Sequence, residues 1–258
     1  MSPSLRRRRS ATWIISLALL ATAACASVGP PPAAQAVPEP QAPTRTLDIH
    51  VFVHDDVRKA LETEHPLVQA FHGVNDADAY REFVHSAYLS WWFDDVARIL
   101  PTFAVRLHYH PHIEGLSNFD YQSEDALVSW TDTVRRWARS EDLDPKHTTK
   151  FLLVTAHSYD GRSSGVAWQG GDAALAAITG RYRVIAHELG HLFGATHRNG
   201  ETRHQGGWWC ETNMHISASL LLQNCYGYSE ENARRIRAYV IENPGWDESS
   251  AWGPTVLD

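Results

Sequence analysis

The stretch His187-Glu188-Leu189-Gly190-His191-Leu192-Phe193-Gly194-Ala195-Thr196-His197 fits the pattern HExxHxxGxxH at every fixed position. Residues four apart lie on one face of a helix, so His187 and His191 can aim imidazole nitrogens at one point. Glu188 lies about 100° further round, beside that point rather than on it. Gly194 can take the left-handed conformation that ends a helix, after which the chain reverses and His197 returns as a third ligand. Three neutral nitrogens suit a tetrahedral Zn2+ with its fourth position open, whereas structural zinc usually fills all four with protein. His187, His191 and His197 are therefore the expected ligands of one catalytic zinc ion.

The chemistry expected of such a site is hydrolysis. Zinc lowers the pKa of a bound water from about 15.7 to about 7. Glu188 then serves as general base on that water and passes the proton to the leaving amine of a peptide bond. The reading is a zinc endopeptidase acting on extended protein segments. Its alternative is a noncatalytic, zinc-stabilised protein that offers the same cleft to a peptide or surface polymer. A third reading replaces His197 by a distant glutamate as ligand.

Working outward, the pattern from Arg181 to Phe193 is helical, with Val184, Ile185, Leu189, Leu192 and Phe193 apolar. Phe151 to Val154 is a continuous apolar run, as in a strand buried on both faces. Leu47, Ile49, Val51 and Val53 alternate with polar residues, as do Phe103, Val105, Leu107 and Tyr109, which predicts two half-buried strands. Between them a helical stripe runs from Tyr80 to Ile99, interrupted only by Asp95 and stopped by Pro101. Ala126 to Ala138 places Leu127, Trp130, Val134 and Trp137 on one side of a second helix. Ser229 with Glu230 and Glu231 starts a last helix that ends before Pro244. The order implies an α/β fold with a mixed sheet. After Gly194 the chain reads as irregular. Asp55-Asp56 and Asp94-Asp95 read as solvated helix starts and ends. His108, His110 and His112 share one strand face, where a second metal is the less economical reading.

The extended motif resembles that of the metzincin metalloproteases, most closely their adamalysin (reprolysin) group, over roughly Leu47 to Val240. The resemblance implies a sandwich with a mixed, mostly parallel twisted sheet, an active-site helix and a smaller irregular C-terminal subdomain ending in a helix. It implies that Met214, 17 residues after His197, packs as a Met-turn beneath the metal ligands. It also implies that Gly165, Val166, Ala167 and Trp168 form an edge strand above the cleft, and that His215, Ile216 and Ser217 help wall the pocket beyond the scissile bond. Trp208 and Trp209 can line that cleft or belong to the core. Arg198 and Thr212-Asn213 stand where adamalysins usually carry Asp and Cys-Ile.

Arg6 to Arg9 precede an apolar run, Ala11 to Ala24, that is shorter than the roughly 20 residues of a bilayer span. That is the layout of an export signal, residues 1–26. Two readings of its end stand. Thr22-Ala23-Ala24-Cys25 resembles a lipobox, which would lipidate Cys25 and anchor the chain to a membrane. Cleavage after Ala26 would release it as a secreted protein. Residues 27–44 carry six prolines and read as a tether. Residues 45–258 then form the metalloprotease domain, divided at 197/198. Cys210 and Cys225 are the remaining pair in an exported chain, so a disulfide is expected. Without the four leader arginines, 19 cationic against 30 acidic residues leave a net charge of −11. That balance argues against a nucleic-acid partner, and the expected species is a monomer with a peptide or protein substrate.

Overall fold

The computed structural model describes residues 45–64, 77–143, 146–216, 222–242 and 255–256. Alternation in β1 (Arg45–Val53) sends Leu47, Ile49 and Val51 to one face of the sheet and Phe52 to the other. The main sheet contains β1, β2 (Phe103–Tyr109), β3 (Thr149–Thr155), β4 (Gly165–Ala167), β5 (Ala173–Ala177) and β9 (Thr255–Val256), in the order β2-β1-β3-β5-β4-β9. Strands β2, β1, β3 and β5 are parallel, with Ile49 opposite Leu107, Val51 opposite Leu152 and Leu153 opposite Leu175. Strand β4 runs antiparallel to β5, and β9 antiparallel to β4. The fold is mixed α/β with a mostly parallel sheet. Every residue of β3 is buried, as its unbroken apolar run requires.

The helices cover the two faces. Leu127, Trp130, Val134 and Ala138 of α4 (Ala126–Ser140) pack with Phe52, Phe151, Leu153 and Leu175 on one face. On the other, Trp92, Val96 and Ile99 of α3 (Ser90–Ile99) and Ile185, Leu189 and Leu192 of α5 (Val184–Leu192) pack with Leu47, Ile49, Val51, Leu152 and Val154. Among the described residues, two further helices precede α3, namely α1 (Asp55–Glu64) and α2 (Ala77–Val84). Helix α6 (Glu230–Glu242), the last among the described residues, starts with the Ser229 hydroxyl accepting the Asn232 N–H at 3.1 Å. Lys150, fully buried on β3, ties the sheet to α6 by donating to Gly171 O at 2.7 Å and to the Tyr239 hydroxyl at 3.0 Å.

Several expectations are corrected. The Tyr80 to Ile99 stripe is not one regular helix, because one π-helical turn, His85–Leu89, separates α2 from α3. Asp95 is no solvated helix end: it is buried, paired with Arg98 at 2.6 Å, and it accepts the Tyr228 N–H at 3.0 Å. Asp56 starts α1 but also accepts from Ala156 N and the Tyr121 hydroxyl. The region after Gly194 contains a small sheet of β6 (Thr202–Gln205), β7 (Trp208–Glu211) and β8 (Gln223–Asn224). Strand β4 is not the sheet edge, because β9 pairs with its outer side, Val166 opposite Val256 and Ala167 opposite Thr255.

The strand histidines do not converge on one point. His108 meets Asp48 at 2.7 Å, His110 meets His50 at 2.9 Å and His112 meets Asp55 at 2.9 Å. Burial, reinforced by the charge of His108, holds His50 and His110 each down to about 4. In the unfolded chain both take up a proton near pH 6.5. The unfolded state therefore binds more protons between pH 6.5 and 4, and stability falls as pH drops through that window. Thermal unfolding should show that loss, and His110→Gln should flatten it.

Candidate metal centre and its surroundings

All nine residues of α5 are buried, which lets the helix carry both outward chemistry and core packing. Its start is anchored by Arg183, whose guanidinium bonds Glu211 at 2.6 Å and the carbonyl of His215 at 3.2 Å. Its end is reversed at Gly194, φ +81°, where Gly194 N donates to His191 O and Ala195 N to Gly190 O, both at 2.9 Å. Helix α6 braces the return: Asn232 accepts the Thr196 N–H at 2.9 Å and donates to Thr196 O at 3.1 Å. The next residue is His197.

That path brings three nitrogens together. His187 Nε2, His191 Nε2 and His197 Nε2 stand 2.8, 3.1 and 2.9 Å from one another. Among the described residues this is the one group of three or more His, Cys, Asp or Glu side chains spaced to hold a metal ion. The tautomers of His187 and His191 follow from their other contacts. His187 Nδ1 donates to Asn213 O at 2.7 Å and His191 Nδ1 to Ala195 O at 3.2 Å, since a carbonyl can only accept. Each neutral ring then presents an Nε2 lone pair to the same point. Lone pairs facing each other at 3.1 Å repel unless a cation lies between them, so the donor set fits Zn2+.

Glu188 lies beside the triad with neither carboxylate oxygen hydrogen-bonded. Burial alone pushes its pKa well above the ordinary carboxylate range. A dication on the adjacent imidazoles would counter that by stabilising the charged form. The space Glu188 occupies exists because residue 165 is glycine. A Cβ there would fall 2.6 Å from Glu188 Oε1 and 2.7 Å from its Cγ.

Below the helix, Met214 is fully buried, and a Cβ on Gly190 would meet its Sδ at 2.6 Å. The same Cβ would meet Tyr228 Cε1 at 2.8 Å. Tyr228 donates to Ala186 O at 2.5 Å and accepts from Trp92 Nε1 at 2.9 Å, so it fixes the turn carrying His187 against α3. Sequence reasoning missed Tyr228, Asn213, Asn232 and Arg183. The one available signal was Asp95, the polar break in an apolar stripe, which holds the Tyr228 backbone. Gly165, Val166 and Ala167 form β4, with Trp168 just outside it. His215 is half-buried, 3.6 Å from Glu211, and Ile216 is exposed. Cys210 and Cys225 are joined as a disulfide, Cα atoms 5.0 Å apart. Trp208 and Trp209 are exposed and not core. Ser217, Cys25, residues 1–26 and the 27–44 tether lie outside the described residues.

Two solved structures similar to this chain are archaemetzincins. That from Methanopyrus kandleri is 16% identical with a TM-score of 0.41, over 76% of this chain and 96% of its own. That from Archaeoglobus fulgidus, complexed with malonate, is 15% identical with a TM-score of 0.36, over 73% of this chain and 99% of its own. Neither supports the adamalysin group in particular. No family model matches the chain, and no curated protein does.

Proposed function

We propose that this protein is a zinc-dependent endopeptidase of metzincin type, a reading made for the clan and not for the adamalysin group. The observation that carries it is the convergence of three imidazole Nε2 atoms beside a buried carboxylate with no partner of its own. A structural zinc site has no use for such a carboxylate, whose burial costs stability. Zinc, when bound, supplies Lewis acidity and a water acidic enough to deprotonate near neutral pH.

The chain's own residues do the rest. His187, His191 and His197 hold the ion, with the Asn213 and Ala195 carbonyls orienting the first two rings. Glu188 takes a proton from water and delivers it to the leaving amine. Met214 acts by packing beneath the ligands. An extended substrate that adds to β4 must displace Thr255–Val256. The disulfide supports export, in an oxidising compartment, whether the chain is anchored through Cys25 or released.

Profiling purified protein against a peptide library, with chelator and after zinc is restored, tests the function. Cleavage that disappears with chelation and returns with zinc is expected. Full zinc with peptide binding and no cleavage would instead favour the noncatalytic reading. Gly165→Ala gives a finer test, because the three atoms its Cβ would approach most closely all belong to Glu188. The variant should retain zinc yet lose more than about tenfold in kcat, with KM little changed. Unchanged kcat would show that Glu188 needs no such room.

A further inference from the structure

The β6–β7 hairpin projects an aromatic tip that the proposed hydrolysis does not use. Its turn residues, Gly206 and Gly207, have φ of +61° and +89°, the doubly left-handed turn suited to a two-residue hairpin. No atom lies within 4 Å of where a Cβ on either would sit, so the tip stands in open space. Just behind it Trp208 is 65% and Trp209 58% exposed. Consecutive strand residues point to opposite faces, so the hairpin carries one indole on each side. The base is rigid: Cys210 is bonded to Cys225, and Arg203 is drawn back by Glu201 at 2.8 Å and Tyr228 O at 2.7 Å.

Two features select the partner. A folded protein or a flat sugar platform covers one face of a strand, whereas a lipid interface surrounds an inserted tip and covers both. Gln205, Gly206, Gly207, Trp208 and Trp209 also carry no charge, so entry desolvates no ion. Tryptophan itself favours the headgroup boundary, with its ring in the apolar layer and its N–H still wet. We propose that the Trp208–Trp209 hairpin inserts into the interface of a lipid bilayer and orients the domain on it. Attachment through it is peripheral. No helix among the described residues is long and apolar enough to cross a membrane.

The test uses the full zinc-loaded chain with phosphatidylcholine vesicles, plain or with brominated acyl chains. The apolar run at residues 11–24 offers another route to the bilayer, so the readout is quenching of specific tryptophans and not partitioning alone. In a Trp13→Phe background, which removes the tryptophan of that run, the otherwise wild-type chain should show bromine quenching that is absent from Trp208→Ser/Trp209→Ser, with each single variant intermediate. Gln205→Glu, which keeps both indoles and adds a charge to the tip, should reduce the quenched fraction severalfold. Zinc content and thermal unfolding of the variants should match wild type, because these side chains are mostly solvent-exposed. Equal quenching in wild type and double variant would overturn the proposal. So would a double variant that quenches normally but loses affinity for peptides or a soluble polysaccharide, which would assign the tip to a ligand cleft.

Discussion

Glu188→Gln is expected to keep about one zinc per chain and to lose peptide hydrolysis by about a hundredfold to ten-thousandfold, the range of a general base. The substitution keeps the side chain's volume, so the narrow space against Gly165 stays filled. It breaks no protein hydrogen bond, because both carboxylate oxygens of Glu188 lack partners. It leaves the three imidazoles and their carbonyl anchors in place. Only the capacity to accept a proton is removed, so any loss falls on kcat while zinc content is unmoved. Undiminished turnover in a zinc-replete variant would remove Glu188 from the mechanism.

His197→Ala is expected to strip the site. Structural zinc sites bind with about 10–16 kcal/mol, so one ligand in four carries about 3 kcal/mol, or about a hundredfold or more in affinity. The variant should emerge from dialysis with little metal, and hydrolysis should fall with it. His197 is the most informative of the three, because it comes from outside α5 and depends on the reversal at Gly194 and the brace from Asn232. The fold should persist, since His197 is only half-buried and the core on both sides of the sheet does not include it. Zinc retained at full stoichiometry would mean that another side chain completes the site.

Much of the site was legible because its parts are close in sequence. His187, Glu188 and His191 occupy one helix, and helical geometry alone puts the two histidines on one face with the acid beside them. Gly194 and His197 follow within six residues of His191, so one turn suffices to close the set. The strands β1, β2 and β3 were legible for a similar reason: alternation and unbroken apolar runs are local consequences of being covered on one face or two. The small sheet was not. Thr202–Gln205 and Trp208–Glu211 carry no alternation of apolar residues, and their pairing is set by the Gly206–Gly207 turn and the disulfide.

The sequence by itself determined which three imidazoles cluster, the neighbouring acid, the helix that presents them and the mixed α/β class, because each rests on residue type and short-range periodicity. Only the tertiary structure decided what orients them. The Asn213 carbonyl reaches His187 across 26 residues, Tyr228 reaches Ala186 across 42, and Asp95 holds Tyr228 across 133. It likewise decided that β9 covers β4 and that the indoles of Trp208 and Trp209 stand in solvent. Contacts between distant segments are chosen by packing of the whole chain, whose cost and gain no local pattern records.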